Sequence, residues 1–164
     1  MRLYHGGLVK IEQPKLRQSS VVRSCDFGSG FYTTTDLNQA KRWSKIRQVR
    51  DRSIYGYVSM YEAPENLLEI EEIKSLVFDS ASSEWLNFVM ANRANDTFMH
   101  DYDLVAGPVA NDRVYATLAL FEAEQLSVEE TLHRRKTYTL VDQVLFHTNK
   151  ALQLLNYVGY EEVQ

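Results

Sequence analysis

Cysteine is almost missing from this chain of 164 residues. Cys25 stands alone, so no disulfide can close within it, and without a His–Cys pattern around it the thiol reads as structural. Proline occurs three times and glycine seven times, too sparsely for a linker or a low-complexity stretch. No apolar run approaches the ~20 residues that a membrane-spanning helix needs, and no charged-then-apolar leader opens the sequence. Metal signatures are missing as well. His5, His100, His133 and His147 show no zinc-like spacing with cysteine or carboxylates, and His100 next to Asp101 is a pair that seldom shares one metal. No G-x-G-x-x-G precedes a helix, which argues against a Rossmann fold, and no G-x-S-x-G elbow supports serine hydrolysis. The expectation is one cytoplasmic domain over 1–164, with no metal and no membrane contact.

What is present is ordinary for a globular chain: 45% hydrophobic and 24% charged residues, enough for one real core. The formal charge of −4 gives no global attraction to nucleic acid or anionic lipid. Basic residues nevertheless cluster at Lys41, Arg42, Lys45, Arg47, Arg50 and Arg52, and again at His133, Arg134, Arg135 and Lys136. Each cluster is either a solvated helix face or a surface that faces phosphates.

Strands and helices alternate irregularly. Strands are expected at 2–5, 30–34, 53–62, 67–70, 103–106, 143–147 and 157–163, with Pro64 ending the third and Gly107-Pro108 breaking the fifth. Asp36 with Gln39 forms a capping-box pattern for a helix over 37–47. Ser83 opens a second helix, whose apolar face of Trp85, Phe88 and Val89 continues into Asn92 and Arg93. Asn111, Val114, Leu118 and Phe121 share a face of a third helix. Ser127 and Glu130 box the start of a fourth that ends near Lys136, and Thr148 caps a short one. Short strands with varied connections imply α+β.

Two segments carry the chemistry, Leu3-Tyr4-His5-Gly6-Gly7 and Phe27-Gly28-Ser29-Gly30-Phe31-Tyr32-Thr33-Thr34. They would place an imidazole, an aromatic ring and backbone amides on strand ends. A histidine there often just satisfies a turn, but its ring would also donate to a ribose hydroxyl. Gly6 lets a flat carboxamide approach the backbone closely. Tyr32 is either a core aromatic or a stacking surface for nicotinamide, worth ~1–3 kcal/mol by analogy with nucleic-acid bases. A third segment at 142–147 completes the set if its strand lies beside the first two.

The Tyr4-His5-Gly6, Gly30-Phe31-Tyr32-Thr33-Thr34 and Gln143 segments resemble the three signature strands of the ADP-ribosyltransferase superfamily, in its His-Tyr-Glu branch. The run from Asp26 through Asp36 is similar to a family of small bacterial proteins. So are Ala91-Asn92-Arg93, Tyr102-Asp103, Gly107-Pro108-Val109-Ala110-Asn111-Asp112 and the stretch 143–148. The resemblance implies two packed, mainly antiparallel sheets surrounded by helices, with a cleft that holds NAD as co-substrate. By carry-over His5 would bond the nicotinamide ribose, Gly6 the carboxamide, and Tyr32 would stack on nicotinamide. Gly30, Phe31 and Thr33 would line the same strand. Asn92, Asp103 and Asn111 are further cleft candidates, and Arg93 suits a pyrophosphate.

Gln143 departs from the pattern by standing where relatives carry glutamate. A glutamine accepts the hydrogen bond without charge and cannot act as general base. Three functions follow as expectations: transfer of ADP-ribose to a protein or nucleic-acid acceptor, as by a toxin held by an antitoxin; an NAD- or ADP-ribose-binding module without turnover; or an NAD glycohydrolase.

Overall fold

A computed structural model describes residues 1–16, 25–94, 98–109, 120, 123, 126–130 and 141–164. The expected helix through Asn111, Val114, Leu118 and Phe121, and the basic cluster at 133–136, lie outside the described residues.

Alternating apolar residues build two sheets. In the first, β1 (Arg2–Gly7), β3 (Tyr57–Glu62) and β7 (Asn156–Glu162) pair antiparallel in the order β1-β3-β7. In the second, β2 (Phe31–Thr33), β6 (Val141–Phe146), β5 (Leu104–Val109) and β4 (Ser75–Val77) follow in that order, and only β4 and β5 run parallel. The chain is therefore α+β with two mainly antiparallel sheets. Leu3 and Tyr61 face Phe31, Leu104, Val144 and Phe146 across the space between the sheets. Helix α1 (Leu37–Asp51) covers the other face of the first sheet through Ala40 and Val58. Helix α2 (Ser83–Ala94) covers the other face of the second, where Trp85, Leu86 and Val89 meet Phe27, Val105 and Leu145. The buried Trp85 indole is satisfied by the Pro108 carbonyl at 3.0 Å, as a desolvated N–H requires. The molecule is thus layered helix, sheet, sheet, helix.

Several boundaries differ from expectation. Residues 67–70 are not a strand: Pro64 starts a turn, and Leu67–Glu69 forms a 3-10 helix that buries only Leu67. Gly107-Pro108 does not break β5, because β4 ends opposite Ala106 and the missing proline N–H faces no neighbour there. Helix α1 runs one turn past Arg47 and stops at Arg52, which takes the left-handed conformation usually left to glycine (φ 52°). Asp36 caps Asn38 and Gln39 as expected, but the Gln39 amide reaches the Asp142 carbonyl instead of closing the box. The Ser127–Glu130 box does form in both directions, and Thr148 caps α3 (Asn149–Leu152). No helix among the described residues is long and apolar enough to cross a membrane.

Candidate functional site

The two sheets touch at one point of their strand edges. Tyr4 and Thr34 exchange both backbone hydrogen bonds, at 2.8 and 3.0 Å, and form an isolated bridge between β1 and β2. An antiparallel ladder continued from there would pair Gly6 with Tyr32, and no such pair exists: the strands splay. Backbone groups alternate along a strand, so the N–H and C=O of Gly6 lie on the same edge as those of Tyr4, away from β3. Among the described residues neither group meets a hydrogen-bonding partner. Gly6 thus offers a donor and an acceptor side by side at the opening between the sheets.

His5 marks the same opening. Its Nδ1 lies 2.7 Å from the Tyr32 carbonyl, and its ring stacks on Phe31 at 4.5 Å. The glycine that follows has a packing reason as well. A Cβ on Gly6 would sit 2.0 Å from the Ala40 carbonyl oxygen, so α1 lies against the bare backbone. Ser44 then donates to the Gly7 carbonyl at 2.9 Å.

Tyr32 points to the opposite side of β2, toward α2. It stands opposite Leu145, which puts Gln143, two residues earlier, on the same sheet face and roughly 7 Å away diagonally. Its hydroxyl donates to the Gly28 carbonyl at 2.8 Å and accepts from the Phe27 N–H at 3.2 Å, so the ring is tied to the preceding loop. Gly28 itself needs to be glycine, with φ +87° and the Asn92 amide oxygen where a Cβ would stand. Gln143 is 6% exposed, and among the described residues its side-chain N–H donor has no partner. An orphaned buried donor costs ~1–3 kcal/mol, which asks for a reason other than stability.

Asp142, its neighbour, cannot share that role. Its carboxylate accepts from the Thr34 hydroxyl, the Thr35 N–H and the Thr35 hydroxyl at 3.0, 3.1 and 2.7 Å, and so clips β2 to β6. The remaining expected residues scatter. Phe31 is core, and Thr33 is buried with its hydroxyl on the Val144 carbonyl. Gly30 lies where a Cβ would meet the Phe146 carbonyl at 2.5 Å. Asn92 donates back to Phe88 of its own helix, and Arg93 pairs with the buried Asp26 at 3.2 Å. Asp103 accepts from Thr148 and from the Lys74 N–H. His5 therefore lies on the inter-sheet side of β2 and Tyr32 with Gln143 on the α2 side, with the Gly6 edge beside the strand, while Thr33, Arg93 and Asp103 make the contacts just described. Asn111 lies outside the described residues. No cluster of three or more metal-ligating side chains occurs among the described residues.

Sequence reasoning missed a histidine pair. His100 and His147 meet edge to face at 4.3 Å. Burial and then repulsion from His100 push the His147 pKa down to about 4, opposed by the Ser29 backbone. Burial likewise lowers His100, opposed by the Phe27 backbone and by Asp101. Nothing in the spacing of 100 and 147 signals this contact.

The pair implies a pH dependence. His147 is neutral when folded and takes up a proton more readily when unfolded, so its stabilisation is complete above about pH 6.5 and lost as pH falls toward 4. The loss amounts to roughly 3 kcal/mol from this group. Urea titrations at pH 7.5 and about pH 4.5 should show it, and His147→Gln should flatten the difference. An unchanged slope in that variant would discount the pair.

A family model described as "Protein of unknown function (DUF3990)" matches residues 1–157, and the chain belongs to that family. No curated protein and no solved structure matches it.

Proposed function

We propose that the chain is an ADP-ribosyltransferase-like protein that binds NAD at the opening between β1 and β2. One observation carries the reading: the N–H and C=O of Gly6, side by side on a splayed strand edge and without a hydrogen-bonding partner among the described residues. A primary carboxamide such as that of nicotinamide presents the complementary acceptor and donor. His5 and Tyr32 flank this edge, and the resemblance of their segments to the superfamily's signature strands supports the same assignment.

In this reading Gly6 takes the carboxamide, His5 the adjoining ribose, and Tyr32 supplies the ring face. The nicotinamide–ribose bond breaks heterolytically, nicotinamide leaves with the electron pair, and the ribosyl cation passes to an acceptor nucleophile. Gln143 would accept a ribose hydroxyl proton in a hydrogen bond without opposing the cation's charge. Losing one such electrostatic group typically costs ~10²–10³ in rate. Turnover is then slow unless the acceptor brings its own base. The neutral, buried Gln143 equally favours a second reading, in which the same opening holds NAD or ADP-ribose without turnover. A toxin held by an antitoxin protein is one setting in which a small transferase of this kind would work.

Incubation with NAD labelled in the adenylate half, plus cell extract, separates these readings. Label on a protein or nucleic acid, lost in His5→Ala, is the expected result. Free nicotinamide with no labelled macromolecule would replace transfer by hydrolysis. Binding without either product leaves only the module.

A further inference from the structure

Helix α1 has two jobs on two sides. Its inner side holds the opening, through Ala40 against Gly6, Ser44 on Gly7 and Gln39 on the Asp142 carbonyl. Its outer side is unusual for a solvated helix. Trp43, Ile46 and Val49 recur every third residue and are 37%, 48% and 82% exposed. Ile54 and Tyr55, just past the helix end, are also exposed. Isolated apolar residues on a surface are normal, whereas a run of five within thirteen positions is a recognition feature.

Charge surrounds this stripe. Residues 41–52 hold six of the chain's 18 basic residues and one of its 22 acidic ones. Arg42 and Lys45 are exposed and have no ion pair among the described residues. Asp51 is occupied by Arg47 and Arg50, and Lys41 by Glu161. An excess of positive charge therefore stands on an otherwise acidic molecule, interleaved with aliphatic side chains.

We propose that the outer side of α1 docks an acidic, amphipathic helical segment of a partner protein. Its apolar residues would cover Ile46 and Val49, and its carboxylates would meet Arg42 and Lys45. Trp43 supplies the aromatic anchor that such interfaces concentrate their energy on. Ile46, Val49 and Ile54 argue against nucleic acid, because aliphatic side chains neither stack on bases nor neutralise phosphates. The stripe is also cut by arginine and lysine at each turn, unlike the broad apolar face of a helix that lies in a membrane interface. Since the same helix supports Gly6 from behind, a docked segment sits directly on the back of the opening.

The test needs no NAD, so its outcome is independent of the proposed chemistry. A fluorescent synthetic helix, with leucines on one face flanked by glutamates, is titrated with the full chain and followed by anisotropy. A peptide of the same composition in permuted order serves as control. The amphipathic peptide should bind, more weakly at high salt, and the permuted one should not. Val49→Glu and Arg42→Glu, both at exposed positions, should each weaken binding about tenfold while leaving the thermal midpoint in place. Equal binding of both peptides, or variants that bind like the parent, would overturn the proposal. So would binding of oligouridine or of phosphatidylserine vesicles in place of the peptide.

Discussion

Gln143→Glu should raise the rate of nicotinamide release from NAD about 10²-fold. The reason lies in the one departure from the strand signatures. Bond cleavage builds positive charge on the ribosyl carbon, and a carboxylate at this position would oppose that charge where an amide does not. Asp142 does not substitute for it. Asp142 carries the charge next door, but Thr34 and Thr35 occupy it on the far side of the strand. Gln143 is also nine-tenths buried, so a glutamate there would interact in a medium less screened than water. Burial has a second effect, raising the carboxyl's pKa, so the gain should grow as pH rises through its titration. The measurement is nicotinamide release by chromatography for parent, Gln143→Glu and Gln143→Ala across pH. A rate in Gln143→Glu no higher than in Gln143→Ala would show that this residue does not face the reacting bond.

Gly6→Ala should be the most destabilising single-methyl change in the first strand. The added Cβ would stand 2.0 Å from the Ala40 carbonyl oxygen and 3.1 Å from the Ser44 nitrogen. Both contacts are backbone, so no rotamer change relieves them, and α1 must move off β1. Overpacking of this kind typically costs 1–3 kcal/mol, and a rigid backbone contact belongs at the upper end, ~3 kcal/mol. For a domain of this size that corresponds to a fall of roughly 10 °C in Tm. Gly7→Ala is the internal control, because its Cβ would meet the His5 ring at 3.4 Å and the Val9 carbonyl at an ordinary 3.8 Å. It should shift Tm by no more than a few degrees. Calorimetric scans of the two variants decide the matter, and equal losses would mean that the close approach of helix to strand is not what constrains position 6.

The parts of this fold visible in the sequence are those where side-chain chemistry acts locally. Asp36, Thr148 and the Ser127–Glu130 pair announce helix starts because a cap is a contact between near neighbours. The strands around His5, Tyr32 and Gln143 show in their alternation and glycine punctuation. What stayed hidden depends on contacts distant in the chain. Arg93 looked like a phosphate ligand, since nothing local reveals that Asp26, 67 residues away, already holds it. Gly6 showed only as an allowance for close approach, and nothing local reveals that its missing Cβ also makes room for Ala40. Pro108 looked like a strand end because the early termination of β4 beside it is a fact of sheet order. The His100–His147 contact belongs to the same class: two separate loops bring it about.

The account turns on the Gly6 edge, and its amide proton reports on that edge directly. With uniformly 15N-labelled protein, the Gly6 amide resonance should move downfield on addition of NAD and, at higher concentration, of nicotinamide alone. ADP-ribose, which lacks the carboxamide, should leave it in place. A Gly6 resonance that stays fixed while NAD binds elsewhere, or a spectrum that NAD does not perturb at all, would contradict the central claim.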